Sequence, residues 1–186
     1  MSAKAAVIEY SVSLSGSNEF PVNASPGIGF GLVSYDNAAH TLSLQVNFSG
    51  LVTTNASGAP SGTTASHIHA PTTAPFFQNA GVATTTPSFA GFPLGVTSGS
   101  YSNTLDLTLS SSFNPSFITA NGGTPAGAES ALASAMAGGL AYWNIHSTAF
   151  GGGEIRGFLV PVPEPSTLAL FALGAGAFAW RLRRKN

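Results

Sequence analysis

Three of the four histidines are the residues best placed to do chemistry. In Ser66-His67-Ile68-His69-Ala70 two of them stand two positions apart. On a β-strand such residues project from one face, with Cβ atoms about 7 Å apart, so two imidazoles can reach one ion. A second group follows in Tyr142-Trp143-Asn144-Ile145-His146-Ser147, where Tyr142, Asn144 and His146 share one strand face. Three imidazoles from two strands can bind Cu or Zn, and Glu154, in Gly153-Glu154-Ile155-Arg156-Gly157, can add an oxygen or orient a ring. The plainer reading stands beside this one. His-x-His pairs also serve in sheets as hydrogen-bonded structural residues, and nothing in the residue order brings His146 to His67. The fourth histidine, His40, is expected in a turn as an ordinary surface residue.

Glu154 and Arg156 are same-face neighbours in a chain with few charges, so a structural ion pair holding the last strand is expected, with Glu19 as another partner in reach. The alternative is ligand contact, since the planar fork of arginine suits a carboxylate or sulfate. Tyr142, Trp143 and Phe76-Phe77 offer rings on which a sugar can stack. Trp143 alternates onto the face opposite His146 and is expected in the core.

Composition narrows the classes. Only 7% of the residues are Asp, Glu, Lys or Arg, against roughly 25% in ordinary soluble domains. Residues 1–163 hold Lys4 and Arg156 against six acids, a net −4; residues 164–186 hold four basic residues against Glu164, a net +3. A folded part so poor in basic residues does not suit nucleic acid, whose binding requires a basic patch. With no cysteine there are no disulfides, thiolate metal sites or cysteine nucleophiles. No Gly-x-Ser-x-Gly elbow, phosphate loop or dinucleotide fingerprint occurs, and the six scattered acids form no glycosidase pair. The chain is therefore read as a non-enzyme.

The elements that must position these residues are mostly strands. Ile8, Tyr10, Val12 and Leu14 alternate with polar residues, as do Leu42, Leu44, Val46 and Phe48, and Leu105, Leu107 and Leu109. Residues 29–35 read as a further strand, joined to the next by a turn at Asp36-Asn37-Ala38-Ala39-His40. Residues 140–147 and 154–160 make a late pair around Gly151-Gly152-Gly153. One Ala-rich helix is expected from Pro125 to Ala137, with proline in its first turn and Gly138-Gly139 as its stop. Residues 71–99, with four prolines, read as loop. The fold class is mainly β: an antiparallel β-sandwich of Ig-like or Greek-key type with one short helix.

The C-terminal end differs from the rest. Pro163-Glu164-Pro165 is followed by thirteen uncharged residues, 168–180, and then by Arg181, Arg183, Arg184 and Lys185. A helix of ~15 residues spans roughly 22 Å, less than the ~30 Å hydrocarbon core, so it crosses only a thinned bilayer. The basic cluster would stay cytoplasmic, which places residues 1–163 outside. This order of parts resembles the PEP-CTERM sorting signal. The resemblance implies recognition by an exosortase, cleavage near Pro163-Glu164-Pro165, and delivery to the surface or matrix of a Gram-negative bacterium.

A second resemblance spans about residues 8–160. Glu19-Phe20-Pro21, His67-Ile68-His69, and the two late motifs at 142–147 and 153–157 are similar to the CHRD (chordin) domain, although Phe20 and Val22 depart from its usual Glu-Val-Pro-Pro. That family implies a secreted β-sandwich-like domain with no catalytic activity. The expected organisation is a CHRD-like domain at 6–160, a Pro-rich linker at 161–167, and a short transmembrane helix with basic tail at 168–186. The expected function is an exported, inner-membrane-anchored precursor that becomes a binding or structural protein of an exopolysaccharide matrix. Its partners would be the exosortase, the membrane through 168–180, polysaccharide and other matrix proteins. The alternative is a Cu or Zn domain built on His67, His69 and His146.

Residues 1–14 do not form a secretory signal, because only four apolar residues separate Lys4 from Glu9. The expectation is a start assigned too far downstream. The genomic DNA upstream is then expected to hold an in-frame basic and apolar segment; its absence would refute the explanation.

Overall fold

The computed structural model describes residues 7–163. The expected membrane segment and Glu164-Pro165 lie outside the described residues. Eight strands form: β1 (Val7–Ser15), β2 (Ile28–Asp36), β3 (Thr41–Ser49), β4 (Thr63–His69), β5 (Gly99–Asp106), β6 (Tyr142–Ser147), β7 (Ile155–Phe158) and β8 (Val160–Pro161). They pair antiparallel in the order β4-β6-β7-β1-β2-β3-β5, with β8 added to β1. Two helices, α1 (Pro115–Ala120) and α2 (Pro125–Ala137), lie between β5 and β6. Among the described residues no helix is long and apolar enough to cross a membrane.

Period-two alternation drives the strands. Tyr10, Val12 and Leu14 of β1 and Leu42, Leu44, Val46 and Phe48 of β3 turn inward, and their polar neighbours turn out. The sheet curls until its two ends share one core, which gives the two facing layers of a sandwich. Trp143 of β6 meets the edge of Phe89 at 5.7 Å, and Phe89 stacks on Tyr101 of β5 at 5.9 Å. The Trp143 indole N–H is fully buried and donates to Ser66 Oγ at 2.7 Å.

The outer edge of β4 is closed by the loop that follows it. Ser88 Oγ accepts from Ser66 N–H and Thr84 Oγ1 from Ile68 N–H, while Ala83 and Phe89 N–H donate to the Ile68 and Ser66 carbonyls. Hydroxyls here substitute for a neighbouring strand.

Two features depart from the expectation. The third alternating run was centred on Leu105–Leu109, whereas β5 ends at Asp106. Asp106 Oδ1 accepts from Thr108 N–H and Oγ1, an Asx turn that takes the chain out of the sheet and leaves Leu109 exposed. Besides the expected Ala-rich helix there is the short α1, started by Asn114, whose side chain accepts from Ser116 N–H, with Pro115 at its first position. α2 has the same kind of start, with Thr124 accepting from Gly127 N–H.

Ser66→Ala would strand the Trp143 N–H in the core. Equilibrium denaturation should show a loss of about 1–3 kcal/mol. Ser88→Ala, at a half-buried edge, should cost less.

Candidate metal centre

The pairing of β4 with β6 sets His67 opposite Asn144, His69 opposite Tyr142 and Ala65 opposite His146, with a register shift between Thr63 and Ala65. Facing residues in an antiparallel pair lie on one side of the sheet. Ile68, Trp143 and Ile145 point into the core, so the three histidines gather on the opposite face. That face is not open to solvent. Loops at 16–23, 71–82 and 148–153 fold over it, and His67, His69 and His146 are only 6%, 8% and 8% exposed.

The imidazoles form a tight group. The His67 ring centroid is 4.7 Å from those of both His69 and His146, which are 5.8 Å apart. One nitrogen from each ring lies within 4.8 Å of the others. His69 Nδ1 donates to the Ala80 carbonyl at 2.8 Å, and His146 Nδ1 to the Gly151 carbonyl at 3.0 Å. Carbonyls only accept, so the protons of these two rings sit on Nδ1 and their Nε2 lone pairs are free. Both Nε2 atoms, and both nitrogens of His67, are buried without a hydrogen-bond partner. Each such orphan costs about 1–3 kcal/mol, and here the orphans converge. Burial, with the neighbouring imidazoles, pushes His67 down to about 3; burial pushes His69 down to about 4 and also lowers His146. All three are thus neutral ligands near pH 7. An ion central to nitrogens within 4.8 Å of one another is at most about 2.8 Å from each, so a contraction of roughly 0.7 Å reaches bonding distance. This buried trio could hold a metal ion.

Glu154, weighed as an added oxygen donor, takes no part in that group. Its Oε1 accepts from Ser25 Oγ and Val52 N–H, both at 2.7 Å, which directs the carboxylate to two loops. Nor does it meet Arg156. The Arg156 guanidinium lies 3.9 Å from Glu19 Oε2 and donates to the carbonyls of Asn18 and Gln78 and to Asn79 Oδ1. It also sits 4.7 Å from the centre of the Tyr142 ring, which stacks on His69 at 4.7 Å. Burial raises Glu19 to about 7, opposed by Arg156, Asn144 and the Phe20 N–H. Gly153 (φ +134°) passes so close that a Cβ would lie 2.5 Å from Asn144 Nδ2 and 2.7 Å from Glu19 Oε1.

His40 is exposed in the turn, as expected, and it also makes a contact. Its Nδ1 lies 2.9 Å from an oxygen of buried Glu129, which also accepts from Tyr35 O–H. The rings considered for stacking divide: Trp143 and Tyr142 are buried, whereas Phe76 and Phe77 are 54% and 51% exposed. With Phe20, Ser11, Ser13 and Arg156 they line an open cleft of about 460 Å³. Sequence reasoning missed the Ala80 and Gly151 carbonyl anchors, which no side-chain type announces. It also missed Asn79 and Gln78, which lie in a stretch read only as loop.

The family described as CHRD domain matches residues 10–159, and the PEP-CTERM protein-sorting motif matches residues 161–185. No curated protein and no solved structure gives a significant match.

The histidines give stability a definite pH dependence. Unfolded, they protonate near 6.5; folded, His67 and His69 do so only near 3 and 4. Below 6.5 the unfolded chain binds more protons, so stability falls with acidification by about 1.4 kcal/mol per pH unit for each net proton. Glu19 acts oppositely. It is protonated up to about 7 in the fold but only near 4.5 unfolded, and so favours the fold as pH drops through that window. Three groups outweigh one. In chelator, the melting temperature should fall from pH 7.5 to pH 5, and Glu19→Gln should steepen the fall; a flat profile would contradict this account.

Proposed function

The chain belongs to the CHRD domain family, and on that premise we propose that it is an exported protein displayed at the cell surface or in the extracellular matrix, acting by binding rather than catalysis. The PEP-CTERM motif implies export through an exosortase system from a membrane-anchored precursor. That motif is the observation that carries the reading, because it begins at residue 161, where β8 completes the domain. The precursor is held by residues 168–180 in the inner membrane of a Gram-negative bacterium and cut near Pro163-Glu164-Pro165. The released domain then contacts polysaccharide or other matrix proteins. The exposed rings of Phe20, Phe76 and Phe77 and the serines of β1 suit the apolar faces and hydroxyls of sugars.

One specific observation favours a second reading, a Cu or Zn domain. One nitrogen from each of His67, His69 and His146 lies within 4.8 Å of the others in a buried place, and four of the six ring nitrogens have no hydrogen bond of good geometry among the described residues. Metal binding and surface display are compatible roles for one domain.

Two measurements test these readings. In a host lacking its exosortase, or with Pro163→Ala and Glu164→Ala together, the tagged chain should remain membrane-bound and run longer than the processed form. Unchanged size and location would refute the sorting reading. After equilibration with Cu or Zn and desalting, elemental analysis of the full chain should find about one ion per chain, as one tri-histidine site demands. Trace amounts would remove the metal reading.

A further inference from the structure

We infer that the tri-histidine centre is a site for Cu(I): a buried, three-coordinate position that takes one Cu(I) ion in preference to Zn(II). The inference rests on the metal-binding reading above and adds to it the identity and oxidation state of the ion.

Charge is the first argument. The three donors are neutral imidazoles, and the chain has no cysteine to supply a thiolate. Neither nearby carboxylate belongs to the cluster: Glu154 is directed by Ser25 and Val52 and Glu19 lies beside Arg156, although Glu154 Oε2 and Glu19 Oε1 are themselves without a hydrogen-bond partner. The bound ion therefore keeps its whole charge in a buried place. The cost of burying charge rises with its square, so a dication is penalised about four times as heavily as a monocation. The Arg156 cation, lying at the Tyr142 ring that stacks on His69, adds to the penalty.

Coordination number is the second. The free nitrogens have almost no solvent-exposed surface, so bulk water does not reach them. Zn(II) in closed protein sites takes four ligands in a tetrahedron, and Cu(II) prefers a tetragonal arrangement. Cu(I), a filled-shell and polarisable ion, is stable with three nitrogens in a plane. Asn144 Oδ1 is also buried and unpartnered, but a neutral amide oxygen is a hard donor that does not suit soft Cu(I).

Preorganisation is the third. His69 and His146 are each locked by an Nδ1–H bond to a backbone carbonyl, and His69 further by the stacked Tyr142. His67 has no hydrogen bond of good geometry through either nitrogen, with the Pro87 backbone as a polar neighbour. It is the least constrained of the three rings.

The test uses the full chain in mild detergent. It is titrated without oxygen with Cu(I) against bicinchoninate, and separately with Zn(II) against a chromophoric chelator. One Cu(I) per chain is expected, bound more tightly than Zn(II), with X-ray absorption showing three nitrogen neighbours at about 2.0 Å. His69→Ala and His146→Ala should each weaken Cu(I) binding by about a hundredfold or more, and His40→Ala should leave it unchanged. Circular dichroism identifies any variant that fails to fold, and the absorption spectrum of the unaltered chain decides without variants. Zn(II) bound as tightly as Cu(I), or four or more neighbours around Cu(I), would overturn the inference and leave the metal reading standing. Retention of neither ion would overturn both.

Discussion

The antiparallel register of β4 on β6 governs the outer face of this domain. It sets His67 and His69 on one strand against Asn144 and Tyr142 on the other, and carries His146 to the same side. A slip of one residue would turn every side chain over, sending imidazoles into the core and Ile68 and Trp143 out. The core resists that slip. Ile68, Trp143 and Ile145 are all completely buried, and the Trp143 N–H finds its acceptor on Ser66 of the paired strand. The hydrophobic layer thus fixes the position of the polar one, although the two lie on opposite sides of the sheet.

The few charges in the domain then determine what covers that polar layer. Arg156 reaches the carbonyls of Asn18 and Gln78, and so gathers two loops from distant parts of the chain. Glu154 does the same for Ser25 and Val52. Buried charges are poor sources of net stability but demand specific partners. In a chain with so few of them, each can define one arrangement of loops. The roof over the histidines follows from that arrangement, including the Ala80 and Gly151 carbonyls that orient two of the rings.

Much of this was legible in the sequence, and the exceptions have physical reasons. Period-two alternation exposed β1 and β3, and the cap-like proline and terminal glycines exposed α2. The His-x-His pair and the late Tyr-x-Asn-x-His run showed which residues share a face. Nothing local could show that β4 and β6, separated by more than seventy residues, are neighbours. The end of β5 was misplaced because the side chain of Asp106 competes with the ladder, an effect that hydrophobic periodicity does not register. α1 is one short turn-and-a-half whose stability comes from its Asn114 cap and the packing of Phe117. Glu154 and Arg156, two apart, suggested one pair; instead Arg156 lies beside Glu19, the other partner in reach, and loop residues take Glu154.

The hydroxyl-closed margin of β4 bears on how copies of this domain can meet. An uncovered margin invites a strand from another molecule, and proteins commonly deter that with lysine or other charged side chains. This chain has almost none to spare. Ser88 and Thr84, together with the backbone of the loop that carries them, already occupy the bonding positions along β4. At this margin, crowded neighbours cannot zip together into a continuous cross-molecule ribbon, and any cohesion among them has to run through side-chain surfaces instead.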